Sequence, residues 1–236
     1  MSPKISIITV CYNAIAEIEQ TILSVINQTY QNIEYIIIDG GSTDGTIDII
    51  QKYANKISFW VSESDNGIYD AMNKGIAKAT GDWINFMNAG DCFYGKDTIS
   101  NVFGTNYPPE VFVVYGAVVS KSNNLILEPY RLEDFCKCMP FCHQSAFVRK
   151  VHQLEFDIHY PIAADYNYFT SIYYDYGSKV FHYVGIPIAV YEDVTGVSTT
   201  SKKELVREYL SIRAAHKSLN WYIDKLKFNI KYCLLW

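Results

Sequence analysis

The sequence predicts an α/β fold: a mostly parallel sheet flanked by helices, followed by amphipathic helices at its C-terminal end. Three observations predict it. Short β-branched runs alternate four times with segments of helical period over about the first 90 residues. Their connections are short and rich in glycine and asparagine. Polar residues gather just past the carboxyl end of each apolar run: Asn13, Asp39, the 62–66 stretch and Asp91. Open α/β sheets bind ligands at that edge.

The elements follow in order. "ISIITVCYN" (5–13) is a buried strand breaking at Asn13, and its apolar run is too short, without a small-residue cleavage site, to be a signal peptide. "AEIEQTILSVINQTY" (16–30) carries Ile18, Ile22, Val25 and Ile26 at helical spacing. "IEYIIIDGGSTDGT" (33–46) is a second strand ending at Gly40-Gly41. "TIDIIQKYAN" is the next helix, with Ser42, Thr43 and Asp44 as its capping residues. "ISFWVSE" is the third strand, "GIYDAMNKGIAKATG" a helix stopped by Gly81, and "DWINFMNAGD" the fourth strand. Beyond residue 105 the pattern changes. "EVFVVYGAVVS" and "KVFHYVGIPIAVYE" read as strands, and "PIAADYNYFTSIYYDYG" reads as a tyrosine-rich helix. The tyrosines between 160 and 176 suit either stacking on sugar rings or filling the core. Residues 202–236 are helical in period and hold eight Lys/Arg against three acids. That stretch, with Trp221, Phe228 and Trp236, suits an anionic membrane surface, and equally a helix packed on the domain.

Bulk properties exclude several classes. At 49% hydrophobic the 236 residues can bury one sizeable core. A net charge of −5 argues against nucleic acid as a partner. No run of about 18 uninterrupted apolar residues exists to span a bilayer. The six cysteines read as free thiols of a reducing compartment, which points to the cytoplasm. "CKCMPFCH" (136–143) departs from the paired spacing of zinc sites. The glycine fingerprint of dinucleotide enzymes and the P-loop Lys-Ser/Thr pair are both missing, and so is the glycine- and basic-rich N-terminal loop of nucleotidyltransferases.

"ISIITVCYN", "EYIIIDGGSTDGT", "SESDNGIYDAMNKGIAKATGDWINFMNAGD" and the later "HQSAFVRK" and "IAADYNYF" together resemble the family 2 glycosyltransferases. The resemblance is dense over residues 3–95 and sparser to about 200. It implies a GT-A-like, Rossmann-type fold over 1–200, with a nucleotide-sugar-binding half (1–105) and an acceptor half (106–200), then a helical extension (201–236). It implies inverting transfer from a nucleotide-diphosphate sugar, with a UDP-sugar expected, to a glycan or lipid-linked acceptor. The place is the cytoplasm or the cytoplasmic face of the membrane.

The resemblance also assigns roles. Asp39 falls where relatives place the acid that accepts from the nucleobase, with Thr9, Tyr12 and Asn13 lining the same pocket. Many relatives carry an arginine at the position of Met72, so Lys74 is the candidate cation for the diphosphate, with Asp70 and Asn73 orienting the loop. The acid–x–acid element that ends the fourth strand in the family is Asn88-Ala89-Gly90-Asp91 here, and only Asp91 keeps a charge. One carboxylate, the Asn88 carbonyl, substrate phosphates and waters can still hold Mn²⁺ or Mg²⁺. Gly90 lets a diphosphate approach the backbone. Asp165 is the expected base, with Asp157 and Asp193 as weaker candidates, and His143 and Gln144 lie on the acceptor side. The 190–198 segment is similar to a loop near the acceptor in relatives. The depleted acid–x–acid element leaves a rival reading open: a non-catalytic nucleotide- or carbohydrate-binding domain with a degenerate metal site.

Overall fold

The structure, a computed structural model, describes residues 2–194 and 200–233. The N-terminal half follows the predicted alternation: β1 (Ile5–Cys11), α1 (Ile18–Ile26), β2 (Ile33–Asp39), α2 (Thr46–Lys52), β3 (Phe59–Ser62), α3 (Ile68–Lys78) and β4 (Trp83–Phe86). These four strands are parallel in the spatial order β3-β2-β1-β4. Helices cover both faces, so β1 and β2 are continuous β-branched runs rather than alternating ones. Ile5, Ile7 and Cys11 join the core shared with Ile18, Ile22 and Val25 of α1. Ile8 and Val10 join the opposite core, shared with Tyr69, Ala71 and Met72 of α3.

The second half gives β5 (Cys92–Phe93), α4 (Thr98–Val102), β6 (Val113–Ser120), β7 (Ile126–Leu127), β8 (Ala146–Arg149), α5 (Ala164–Tyr176), β9 (Phe181–Tyr191), α6 (Lys202–Ala215) and α7 (Leu219–Cys233). Among the described residues all nine strands form one sheet, continuing from β4 as β8-β6-β9-β5 with β7 on β6. The second half of the sheet is mixed: β6 and β9 are parallel, and the other pairs are antiparallel. β8 enters between β4 and β6 and runs antiparallel to both. This strand, read in the sequence only as part of a motif, brings the end of the 143–145 turn beside β4.

Two of the α5 tyrosines fill the core, while Tyr176 at its end is exposed. Tyr166 and Tyr168 are buried, and their hydroxyls donate to the carbonyls of Phe135 (2.6 Å) and His152 (3.1 Å). One face of α6 packs on α5, with the Tyr166 and Tyr209 rings 4.3 Å apart.

At the edge of the sheet opposite the polar cluster, Glu34 ties β2 to β1 and to the α3–β4 turn. Its carboxylate accepts from Lys4 Nζ (2.7 Å), Ser6 Oγ (2.6 Å) and the Thr80 amide (2.6 Å). Burial pushes this carboxyl up, but the bonds outweigh it and hold it at about 2 against an ordinary 4.5. A carboxyl so lowered stabilises the fold above its unfolded value and loses that contribution as pH falls through about 2. Glu34→Gln should therefore cost on the order of 3 kcal/mol at neutral pH. Urea unfolding should show the deficit shrinking between pH 4.5 and 2, and a pH-independent deficit would refute this assignment.

Candidate active site

The site is built at the carboxyl ends of β1 to β4. Register places Cys11 beside Asp39 and Asp39 beside Ser62, so three polar groups end in one row. The Asp39 side chain is 0% exposed. It accepts from the hydroxyls of Ser42 (2.5 Å) and Ser62 (2.6 Å), the amides of Gly41 (3.1 Å) and Ser42 (2.9 Å), and the Cys11 thiol (3.4 Å). Burial raises this carboxyl, and the serine bonds outweigh burial, so it is held below the usual range. The expectation that Asp39 meets the nucleobase is corrected here. Its acceptor capacity is taken up by Gly41 and Ser42 of the following loop, Ser62 of β3 and Cys11 of β1, so the enclosed carboxylate offers no open face to a base. Asn13, at φ 47, likewise serves the loop, accepting from the Thr43 amide (3.0 Å). Asp44 bonds the amide of Thr46, the first residue of α2 (3.0 Å).

Thr9 is a second correction. It is fully buried, and its hydroxyl donates to the Met87 carbonyl (2.7 Å), so it joins β1 to the end of β4 instead of lining a pocket. Tyr12 does stand open at 65% exposure. A Cβ on Gly40 would lie 2.5 Å from Asp65 Oδ2 and 3.3 Å from Tyr12 Cδ2. An exposed ring, a carboxylate oxygen and a bare backbone thus converge on Gly40, the arrangement a flat heterocycle with a ring N–H requires. Sequence reasoning placed Asp65 in the polar stretch without singling it out.

The α3 candidates support that loop instead of reaching the donor. Asp70 accepts from the Asn66 amide (2.9 Å), and Lys74 Nζ donates to the Ser64 carbonyl (2.8 Å) and pairs with Glu63 (3.0 Å). The Glu63 bond holds the Lys74 ammonium above its ordinary value. Lys74 is thus paired within this loop, and a role on the diphosphate needs that pair to open. Asn73 is corrected too. Its amide donates to the Phe156 carbonyl (2.9 Å) and accepts from the Phe156 amide (2.7 Å), clamping α3 to the chain leading to α5.

The remaining candidates come together. Gly90, at φ +100, turns the chain after β4, and its amide donates to Thr21 Oγ1 (3.1 Å). Ala89 continues the ladder to the Val10 carbonyl (3.1 Å). Asp91 is 4% exposed and accepts from the Glu192 amide (2.8 Å) and Gln144 Nε2 (2.9 Å). Burial raises its carboxyl above the usual range despite those bonds and the nearby His143 and Lys121. The neighbour of Gln144, His143, bonds Asp165 Oδ2 through Nδ1 (2.9 Å) and meets Asn88 Nδ2 through Nε2 (3.2 Å). Asp165 also accepts from the Tyr69 hydroxyl (2.9 Å) and the Tyr166 amide (2.8 Å). Burial raises its carboxyl, and the His143 and Tyr69 contacts outweigh burial and lower it. An ionised Asp165 accepts only, so the network assigns the ring proton to Nδ1, and Nε2 then accepts from the Asn88 amide. Glu208 of α6 positions the start of α5 by accepting from the amides of Ile162 (3.0 Å) and Ala163 (2.8 Å).

The weaker acid candidates stand apart from this chain. Asp157 is engaged by His159 (2.7 Å), and Asp193 by the hydroxyls of Ser120 (2.5 Å) and Ser122 (2.6 Å). A cation not foreseen in the sequence, Lys121, donates to the Gly90 carbonyl (3.3 Å) and pairs with Glu192 (3.2 Å). The 195–199 part of the expected acceptor loop, and Trp236, lie outside the described residues.

Two observations bear on a divalent ion. Asn88 Oδ1 is enclosed without a hydrogen-bond partner, and each Asp91 oxygen accepts a single bond. A hard cation takes such oxygens and completes its shell with phosphates and waters, so the donor set fits Mg²⁺ or Mn²⁺. It fits as a sparse site, because among the described residues no three His, Cys, Asp or Glu side chains form a metal-binding group.

The family model described as glycosyl transferase family 2 matches residues 6–167. A PGL/p-HBAD biosynthesis glycosyltransferase of Mycobacterium tuberculosis is 31% identical over 224 residues, covering 90% of this chain and 86% of that protein. An uncharacterized glycosyltransferase of Haemophilus influenzae is 45% identical over 100 residues, 41% of this chain and 40% of that one. Among solved structures, a mannosyltransferase from Pyrobaculum calidifontis in complex with GDP-Man and Mn²⁺ superposes with a TM-score of 0.70 at 20% identity, covering 91% of this chain and 64% of that one. S. aureus TarS 1-349 in complex with UDP gives 0.69 at 16% identity, covering 94% and 68%. The chain spans 39% of a longer TarS structure. These likenesses establish a GT-A fold.

Proposed function

The chain belongs to glycosyl transferase family 2, and on that premise we propose that it transfers a sugar from a UDP-sugar to a hydroxyl of a glycan or lipid-linked acceptor, with inversion at the anomeric carbon. One observation carries the reading: Asp165, His143 and Asn88 form a continuous hydrogen-bonded chain, and Gln144, next in sequence to His143, bonds Asp91. An acid suited to deprotonating an acceptor is thus linked by hydrogen bonds to the turn suited to the departing diphosphate.

In the proposed reaction the acceptor oxygen attacks the anomeric carbon, and the bond to the diphosphate breaks with its electron pair staying on the phosphate oxygen. Asp165 takes the hydroxyl proton as the new bond forms. His143 and Tyr69 hold the carboxylate in place, and Asn88 holds the His143 ring. Gly90 admits the diphosphate against the backbone, and the cation for it would come from Lys121 on opening its Glu192 pair or from Lys74 on opening its Glu63 pair. Asp91 and Asn88 Oδ1 are the residues that would hold Mn²⁺ or Mg²⁺, and the bound ion would neutralise the charge gathering on the leaving group. At the other end Tyr12 and Asp65 flank Gly40, where Asp65 Oδ2 accepts a ring N–H. Structural neighbours solved with UDP and UDP-GlcNAc support uracil, and the neighbour solved with GDP-Man makes guanine the competitor. The C-terminal helices supply the proposed contact with an anionic membrane surface.

Thermal unfolding with UDP-, GDP- and dTDP-sugars, each with and without Mn²⁺, tests the donor and metal together. A UDP-sugar with Mn²⁺ near a hundredfold over its Kd should raise Tm by about 5–10 °C. Metal alone should do little, since the protein offers it few ligands. Gly40→Ala should remove the shift, because the new methyl occupies the nook between Tyr12 and Asp65. A larger shift with the GDP-sugar would sink the uracil assignment, and an equal shift without metal would sink the metal site.

A further inference from the structure

Register brings Lys121 and Glu192 together. β6 and β9 run parallel with Ser120 opposite Tyr191, so the residues that follow the two strands emerge side by side. The Lys121 ammonium pairs with Glu192 Oε2 (3.2 Å) and donates to the Gly90 carbonyl (3.3 Å), and both side chains are partly exposed. The Glu192 side chain lies over the turn after β4: a Cβ on Gly90 would stand 3.6 Å from Glu192 Cβ and 3.9 Å from its Cγ. The backbone beneath it is fastened. The Glu192 amide donates to Asp91 Oδ1 (2.8 Å), and Asp193 accepts from the Ser120 hydroxyl (2.5 Å) and the Ser122 amide (3.0 Å). Glu192 Oε1 in turn accepts from the Val194 amide (3.0 Å). A carboxylate thus covers Gly90 and neutralises the lysine beside it, at the turn where the proposed reaction seats the diphosphate.

We propose that the Glu192 carboxylate competes with the donor's diphosphate for Lys121: it holds the lysine until a diphosphate displaces it, and retakes the lysine to help expel the nucleoside diphosphate after transfer. Two anions then contend for one cation, and like charges set face to face repel. The diphosphate carries more charge than the carboxylate and wins Lys121 only by parting it from Glu192, so binding gains the difference between the two attractions. With residues 192 and 193 tied to Asp91, Ser120 and Ser122, the exchange is a turn of the Glu192 side chain rather than a displacement of β9. Position selects Lys121 over Lys74 as the contested cation. Lys74 is bound to Ser64 and Glu63 beyond β3, three strand spacings or roughly 14 Å from β4, whereas Lys121 touches Gly90 itself. The exchange rests on the sugar-transfer reading for what the site binds.

Isothermal titration calorimetry of the full chain with UDP, GDP and uridine, all in Mn²⁺, provides the test. Glu192→Gln keeps the length of the side chain and an oxygen for the Val194 amide but loses the charge. It should bind UDP about fivefold more tightly than wild type, the upper end for a part-exposed ion pair, and uridine, which has no phosphate, within about twofold. Lys121→Met should weaken UDP about tenfold or more. Glu17→Gln removes the same charge from a residue whose Cβ would lie 4.0 Å from a Cβ on Gly90, and should change UDP binding less than about twofold. If GDP binds in place of UDP, the same ratios are expected with GDP. Equal tightening in Glu192→Gln and Glu17→Gln would reduce the effect to general repulsion and overturn the competition, as would a parallel tightening of uridine. UDP affinity left unchanged by Glu192→Gln would overturn it while the sugar-transfer reading stands. Loss of UDP affinity in Lys74→Met but not in Lys121→Met would give the cation to Lys74 and overturn it as well. Absence of UDP and GDP binding in every one of these proteins would overturn both.

Discussion

Asp165→Asn is expected to lower turnover by about a thousandfold, within the range for losing a positioned general base, while UDP-sugar binding stays within about twofold. The substitution keeps the shape of the side chain, and the Tyr166 amide still finds an oxygen. On the other side an Asn amide would face His143 Nδ1–H, donor against donor. The ring relieves this by moving its proton to Nε2, which then needs an acceptor at Asn88. Asn88 Oδ1 has no partner in the wild-type arrangement, so in the metal-free variant rotation of that amide supplies one. The variant should therefore fold, bind donor and show the opposite His143 tautomer by nitrogen NMR. The His143 and Tyr69 contacts hold the Asp165 carboxyl low, so wild-type turnover should resist acid to below the ordinary carboxylate range. The stability this group contributes is present above its unfolded value and is lost as pH falls through the lowered one. Wild-type turnover in Asp165→Asn would end this mechanism, and absence of turnover in the wild-type chain with every donor would favour the non-catalytic reading.

Asp91→Asn separates function from stability in the opposite direction. Turnover should fall about a hundredfold or more, and the metal-dependent part of the donor-induced Tm shift should vanish. Tm without ligand should hold or rise at neutral pH. Burial raises the Asp91 carboxyl, so what it contributes to folding is present below its unfolded value and is lost as pH rises through the raised one. An amide escapes that loss and still accepts from the Glu192 amide, while Gln144 turns its carbonyl toward the new NH₂. A metal-dependent shift that survives in Asp91→Asn would remove this residue from the ion's ligands.

Much of the architecture was legible because its signals are local. Apolar period, strand-ending glycines and the alternation of runs state the first four strands and their helices residue by residue. The same locality led the nucleobase assignment astray. Asp39 sits at the expected edge, but nothing in "IDGGSTDGT" says that Ser62 and Cys11 will close around it. Asp65 becomes a candidate only once Gly40 and Tyr12 are seen beside it. The partners of Asn73 and Lys74, Phe156 and Glu63, were hidden for the same reason, since they are joined to α3 by folding rather than by spacing.

The sequence by itself determined the fold class, the family and the strand edge on which polar groups collect, because each depends on residues near one another in the chain. The tertiary structure alone decided which of those groups keep a free face. A carboxylate's role follows from how many donors reach it and how much water it retains. Several of those donors arrive from far along the chain, as Ser62 does at Asp39 from 23 residues away and Glu192 does at Asp91 from 101. The linkage of Asp165 to Asn88 through His143 is of the same kind, the start of α5 and two turns meeting where an antiparallel strand slips in beside β4.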